Sequence, residues 1–381
     1  MSEESRMSAQ AELIIAASES DANMFYATRF LAPDAFVFVL TPAGEKTLLM
    51  SDLELDRARS QAAVDSVLPI REYEERAKAA GVDRPKLLDS VSAFLAERRI
   101  GSALVPGNFP LEYGDGLRAR GVAVQVRPDP FYEARLVKTS KEIEAISRAM
   151  QRTEAAMHVA VSAIRESDVR DGVLRWRGET LTAERTRRLI SAALLEDGLI
   201  ALRTIVACGE AACDPHNEGS GPLRAGEAII IDIFPRDEAS RYFADITRTV
   251  VKGRASEALH RMYGAVAAGQ SRAFELIGDG SDGAAIHREV QATLDRHGFQ
   301  TGELNGRMQG FFHGTGHGLG LDIHELPRIS KLPATLRSGN VVTVEPGLYY
   351  LDIGGVRIED VVVVTETGHT NLTKYPKTLE V

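Results

Sequence analysis

Residues 228–251 read AIIIDIFPRDEASRYFADITRTVV, and how this stretch folds decides how the rest of the chain is organised. It holds two β-rich runs, 228–234 and 242–251, joined by the polar turn Asp237-Glu238-Ala239-Ser240, the signature of a hairpin with a four-residue loop. A hairpin centred on that loop sets Asp232 directly opposite Asp245, with Cβ atoms about 4.5–5.5 Å apart. Two carboxylates about 5 Å apart at an effective dielectric near 20 repel by roughly 3 kcal/mol. Ile230, Ile231, Ile233 and Ile246 make the flanks apolar, so the hairpin is expected to be buried and to need a cation between its acids. Taken alone, an opposed Asp pair is also what a solvated strand face looks like, so the remaining sequence has to decide.

A second stretch poses the same problem. Residues 341–350, VVTVEPGLYY, and 354–364, GGVRIEDVVVV, form another hairpin turning around residues 352–355. Centring it near Asp352 puts Glu345 opposite Glu359, with Pro346 and Gly347 bending the strand between. Four carboxylates aimed into one core demand cations. Between the hairpins lies FFHGTGHGLGLDIHELP, residues 311–327, which supplies His313, His317 and His324. Imidazole and carboxylate together suit Mn²⁺, Fe²⁺, Co²⁺ or Zn²⁺ better than Mg²⁺ or Ca²⁺, which prefer all-oxygen shells. Asp232, Asp245, Glu345, Glu359 and one His would serve two metals about 3.5–4 Å apart, and water between such ions is a nucleophile near neutral pH. Hydrolysis is the expected reaction.

Other readings of the histidine stretch fail on spacing. The Glu of the zincin helix motif is missing after His313, and the surrounding glycines discourage a helix. Gly316-His317-Gly318-Leu319-Gly320 lacks the G-x-G-x-x-G spacing of a dinucleotide loop and the helix that should follow it.

The flanking chain supports a two-domain arrangement, which 381 residues can accommodate. Up to about residue 130, short apolar runs at 36–40, 47–50, 102–105 and 122–126 alternate with helical stretches, as in an α/β domain with a parallel or mixed sheet. Arg127-Pro128-Asp129-Pro130 reads as the connector. Beyond it Thr139 and Glu142 have capping-box spacing, opening a helix to about Ile164, and a second helix covers 182–195. Leu259, Met262, Tyr263 and Val266 mark a third, and Asp282 caps a fourth. The order helix, helix, acidic hairpin therefore occurs twice.

Composition is that of an ordinary folded protein, 44% hydrophobic and 26% charged. A net charge of −9 without a basic patch argues against nucleic-acid binding. The opening MSEESRMSAQAE has no apolar run that would mark a secretory leader, no stretch approaches the ~20 apolar residues of a membrane span, and Cys208 and Cys213 are too few for a disulfide framework. A cytoplasmic protein without membrane partners is expected.

PHNEGSG, IDIF…YFADITRTV, HGTGHGLGLDIHELP, VEPGLYY and VRIEDVVVV, in this order, resemble the pita-bread metallopeptidases, the family of methionine aminopeptidase, aminopeptidase P and prolidase. The resemblance runs from about Lys138 onward; the preceding part is similar, more weakly, to the creatinase/prolidase amino-terminal domain. It implies an α+β fold, with a pita-bread catalytic domain at 131–381 preceded by a smaller α/β domain at 1–130. It makes Asp232 a ligand of one metal, Asp245 and Glu359 bridges, and His317 a ligand of the other metal together with Glu345. Glu345 would also shuttle the proton of a metal-bridging hydroxide, His324 would stabilise the tetrahedral intermediate, and His216, His313 and Arg357 would stand on the substrate side, His216 with a catalytic part as well. The implied cofactor is two divalent ions, Mn²⁺ first, then Co²⁺ or Zn²⁺, in a homodimer.

Arg357 beside the final Glu, the Glu-Pro-Gly-Leu-Tyr string and the extra domain resemble the Xaa-Pro enzymes, which cut before proline at a free amino terminus. The alternatives are an aminopeptidase of other specificity, a creatinase-like amidinohydrolase, or a non-catalytic binding protein of the same fold. The filled ligand positions disfavour the second, and the absence of lost ligands or basic extensions disfavours the third. One departure stands out: Phe234 and Pro235 follow where the family usually has glycine, in a hairpin about two residues longer.

Overall fold

The computed structural model describes residues 10–381 and has an α+β fold. The opening stretch read above as lacking a leader lies mostly in residues 1–9, outside the described residues. The chain separates into two compact units, Met1–Arg135 and Leu136–Val381.

The first unit is built on a mixed six-stranded sheet of β1 (Ala11–Ala16), β2 (Phe36–Leu40), β3 (Lys46–Met50), β4 (Ser66–Pro69), β5 (Ser102–Pro106) and β6 (Ala123–Arg127), in the order β4-β3-β2-β1-β5-β6. Helices α1 (Ala22–Thr28), α2 (Leu55–Gln61), α3 (Ile70–Ala79), α4 (Leu87–Glu97) and α5 (Leu111–Ala119) connect the strands. Successive side chains of a strand point to opposite faces, and both faces here are covered. Leu13 and Ile15 join Tyr73 and Phe94 in one core, while Ile14 joins Met24, Phe30 and Phe38 in the other. Burial on both sides explains why β2 reads as the continuous apolar run FVFVL rather than as an alternation.

In the second unit α6 (Ser140–Arg165) opens with the expected capping box: Thr139 N–H donates to Glu142 Oε2 at 2.8 Å, and Glu142 N–H donates to Thr139 Oγ1 at 3.4 Å. It packs on α7 (Ala183–Glu196). An antiparallel sheet follows, β7 (Thr204–Cys208), β8 (Ile229–Ile233) and β9 (Ile246–Val250), with β8 central. The second helix pair, α8 (Glu257–Leu276) and α9 (Gly283–Arg296), is also packed together, and Asp282 caps α9 by accepting from Ala284 N–H at 3.0 Å. The last sheet has five strands, β10 (Gly316–Gly318), β11 (Glu325–Ile329), β12 (Val341–Val344), β15 (Asp360–Thr365) and β16 (Gly368–Asn371), in the order β11-β10-β12-β15-β16. The ribbon of β13 (Gly347–Tyr350) and β14 (Gly354–Arg357) extends the β12–β15 hairpin. Valines of this sheet, Val342, Val344, Val362 and Val364, pack in one core with Leu259, Met262 and Val266 of α8. No helix among the described residues is long and apolar enough to cross a membrane.

Candidate active site

The two acidic hairpins reach the same place by different routes. In the first, Asp232 pairs with Thr247 and Ile233 with Ile246, so Asp245 is two residues away from the position directly opposite Asp232. The expected direct opposition is corrected by a one-residue shift of the loop: the ladder runs on past Pro235, whose carbonyl accepts from Ala244 N–H at 3.0 Å, through the Arg236–Phe243 bridge to a four-residue turn at 238–241. On its other edge Arg236–Asp237 pairs with Leu199–Ile200. Asp237 is buried there, its carboxylate accepting from Arg152 of α6 at 2.8 Å and from Ser240 N–H at 2.7 Å. A slip of two residues leaves side chains on the same face, so Asp232 and Asp245 still point the same way.

The second hairpin keeps the expected register. Val344 pairs with Asp360, and Gly347 with Arg357, which leaves Glu345 facing Glu359 where the ladder is interrupted. At that gap the backbone turns to other strands. Glu345 N–H donates to Thr315 O at 2.7 Å, and Glu359 N–H donates to Thr247 O at 3.1 Å, which ties the second hairpin to the first. Arg248 braces the joint with all five N–H groups, to the carbonyls of Thr247, Glu359, Tyr375 and Pro376 and to the Asp360 carboxylate.

Asp245, His317 and Glu359 offer ligand atoms within 4.8 Å of one another, all buried. His317 Nε2 is 3.4 Å from Glu345 Oε1 and 3.7 Å from Asp245 Oδ2. Its Nδ1 is 3.1 Å from Gly318 O, which can only accept, so Nδ1 carries the proton and Nε2 presents a lone pair to the carboxylates. Burial holds the His317 pKa down at about 3, so the ring is neutral. Burial first, then the neighbouring acids, pushes Asp245 and Glu359 well above the usual carboxylate range. Burial also raises Glu345 to about 7. Lone pairs facing lone pairs at these distances require protons or cations between them.

Asp232 joins the cluster through Arg357, whose Nη2 donates to Asp232 Oδ2 at 2.7 Å. This guanidinium also donates to Tyr349 Oη at 2.9 Å and to Thr247 Oγ1 at 3.3 Å, and Arg357 is 4% exposed. Three of its five N–H groups are therefore spent inside the protein. Asp232 Oδ1 remains buried without a partner among the described residues. His313 Nε2 lies 2.8 Å from the Tyr349 hydroxyl, and burial lowers its pKa to about 3. The His324 ring packs edge-on against His317, 4.4 Å between centroids. His216 sits on an exposed loop, near enough for its charge to be felt at His313 and His324.

Three residues were missed in the sequence, and the strand period would have found two of them. Thr247, two residues from Asp245 on one strand, donates to Glu359 Oε2 at 2.7 Å. Arg328 pairs directly with His317 in the β10–β11 ladder, so it shares the face of that ligand, yet it is exposed. Its charge is felt at His317, His324 and Glu345. Tyr349 had no separate signal beyond its place in the Glu-Pro-Gly-Leu-Tyr string. The glycines around His317 are fixed by crowding: a Cβ on Gly316 would stand 1.9 Å from Thr343 O, and one on Gly318 2.3 Å from Leu326 O.

The donor set fits divalent metal. Four acids converge on a lone-pair nitrogen with Arg357 as the buried counter-charge, and one Asp232 oxygen still lacks a partner. Residues 144–366 match the sequence model of metallopeptidase family M24. This chain belongs to metallopeptidase family M24. It is a metal-dependent peptidase of the pita-bread fold. A Pyrococcus furiosus protein named Xaa-Pro dipeptidase is 28% identical over 90% of this chain and 88% of its own length. One of the same name from Pyrococcus horikoshii is 28% identical over 94% and 92%. The prolidase structure from Pyrococcus horikoshii superposes with a TM-score of 0.79 at 25% identity, covering 98% of this chain and 96% of that one. An X-Pro aminopeptidase structure from Thermotoga maritima shares the fold over the full length of both chains, TM-score 0.80 at 24% identity.

Proposed function

We propose that this M24 peptidase is an Xaa-Pro dipeptidase that uses two divalent ions, Mn²⁺ by preference, and that the Leu136–Val381 unit is its catalytic domain. One observation carries the reading: Asp232, Asp245, Glu345 and Glu359 converge on neutral His317, with Arg357 as the counter-charge buried among them. Asp245 and Glu359 lie centrally and would serve as bridges; Asp232 would complete one ion's shell, and His317 with Glu345 the other's. Metal ions bound there would polarise the scissile carbonyl and lower the pKa of an attacking water.

The chain's own residues supply the rest. Glu345, buried beside His317 with its carboxylate 3.4 Å from Nε2, is placed to take a proton from water and pass it to the leaving proline nitrogen. His324, against His317 on the open side, is a donor for the developing oxyanion. His313 and His216 line the substrate side. His313, Phe312 and Tyr349 form an aromatic cluster that offers a proline ring an apolar face. Arg357 is assigned to holding Asp232 rather than to the substrate carboxylate, because it is buried and three of its five N–H groups already go to Asp232, Tyr349 and Thr247. The carboxylate of a dipeptide instead falls to Arg328, exposed on the same face as His317.

The names of the two Pyrococcus relatives support the proline preference. Two free cysteines, with thiol pKa values raised by burial to about 12 at Cys208 and about 11 at Cys213, fit a reducing cytoplasm, and a homodimer completes the reading. After Mn²⁺ reconstitution the protein should bind two ions and release proline from Xaa-Pro far faster than it cuts Xaa-Pro-Yaa. Equal rates on both would remove the dipeptide preference. Cleavage of other amino-terminal bonds alone would remove the proline, and binding of a single ion would remove the dinuclear site.

A further inference from the structure

Helix α9 buries an imidazole that the chemistry above does not use. Its inward face carries Ile286, Val290 and Leu294, and His287 lies among them, 2% exposed. His287 Nδ1 is 2.9 Å from the Thr315 hydroxyl, while Nε2 is buried with no partner among the described residues. The pair holds two polar hydrogens, one on the ring and one on the hydroxyl, yet shares a single hydrogen bond. Whichever group donates, one hydrogen is left unmet, so an apolar residue in this stripe would cost the fold less. Such an expensive side chain asks for a role.

Its partner is the middle residue of His313-Gly314-Thr315-Gly316-His317. Thr315 is held at three points: its N–H donates to Ile329 O at 2.7 Å, its carbonyl accepts from Glu345 N–H at 2.7 Å, and its hydroxyl meets His287. The same imidazole lies 5.3 Å from the Phe311 ring, which packs edge-on against His313 at 5.1 Å. One helix side chain thus touches the loop on both sides of His313. Main-chain bonds tie this segment to both neighbouring strands at Thr315 and Leu319, but the ladder between them is short and irregular. β10 is in register with β12 only at Gly318 and Val342, and a bulge interrupts its pairing with β11 between His317 and Gly318.

We infer that His287 is a positioning residue for the peptidase reaction, acting through Thr315 to keep Glu345 and His317 aligned. The inference rests on the roles proposed above for those two residues. On an Xaa-Pro dipeptide, His287→Leu should lower kcat about tenfold and leave KM within about twofold of wild type. Thr315→Val should do the same, and the double variant should be no slower than either single one. His287→Asn, whose amide reproduces the Nδ1 contact without Nε2, should recover to within about threefold of wild type. Thr315→Ser should recover equally, and with Thr315→Val it carries the test if His287→Leu does not fold.

Additive losses in the double variant, a His287→Asn as slow as His287→Leu, or single variants as fast as wild type would each overturn the inference. A second arm needs no activity: in the metal-free protein the ¹⁵N resonance of His287 Nδ1 should move in Thr315→Val, and an unmoved resonance also overturns it. A wild-type protein inactive on every Xaa-Pro peptide would strike down the proposed function, and the resonance would still decide whether His287 and Thr315 are coupled.

Discussion

The two acidic hairpins bring equivalent carboxylates to one centre, but they hold them differently. The first depends on side chains. Its ladder keeps one register out to the turn without setting Asp232 against Asp245, and Thr247 and Arg357 make the links that tie Asp232 to Glu359. The second depends on main chain, with Glu345 and Glu359 fixed where their N–H groups leave the hairpin for Thr315 and Thr247. Acids can therefore be aligned either by slipping a ladder by an even number of residues or by breaking it in register. The face on which a side chain lies survives both, while direct opposition survives only the second.

If both hairpins are needed, the largest effect comes from removing a central acid of either. Asp245→Ala and Glu359→Ala should each reduce peptide hydrolysis below detection and lower the bound metal measured by atomic emission; a variant of either that kept both ions would leave one hairpin dispensable. Next comes His324→Gln, expected to lower kcat about a hundredfold through loss of a donor to the oxyanion. Arg328→Ala should raise KM for a dipeptide by roughly tenfold, the scale of one charge-assisted hydrogen bond, with little effect on the corresponding dipeptide amide.

The comparison itself is sharpened by matched threonines. Thr247 Oγ1 donates to Glu359 at 2.7 Å, whereas Thr343 Oγ1 stands 3.5 Å from Glu345. Thr247→Val should weaken metal affinity about tenfold and Thr343→Val much less; equal losses on calorimetric titration would mean that the two hairpins are held alike.

The smallest effect is on stability in chelator. Burial raises Glu345 from 4.5 to about 7, so its contribution favours the metal-free fold below pH 4.5 and is lost as pH rises through about 7. His313 and His317, lowered from 6.5 to about 3, act in the opposite sense and lose their contribution as pH falls through that window. Glu345→Gln, which does not titrate, should therefore gain melting temperature relative to wild type as pH rises from 4.5 to about 7. A flat difference would show that the buried acids titrate as a group without it.

Much of this was legible in residue order. The capping box at Thr139 and Glu142, the cap at Asp282 and the register of the second hairpin are local, and local rules placed them. In the first hairpin the turn is where the sequence puts it but one residue further on, at 238–241, because Asp237 still pairs with Tyr242 while its carboxylate holds Ser240 N–H and Arg152, the latter 85 residues away along the chain. The strand position of Arg357 puts it among the acids, as expected; what the sequence does not show is that three of its five N–H groups go to Asp232, Tyr349 and Thr247. β1 and α1 escaped notice because AELIIA is short and buried on both faces, which leaves no alternation to recognise.

The crowding at Gly316 and Gly318 bears on how such an enzyme can change. Neither position has room for a side chain, because the atoms in the way are carbonyl oxygens of the adjoining strands. A directed-evolution library spread across 313–318 would be filled with misfolded clones. Phe234, His216 and Arg328 are half-buried or exposed and lie outside that crowded strand, so new substrate preferences are best sought there, with the metal-bearing segment left untouched.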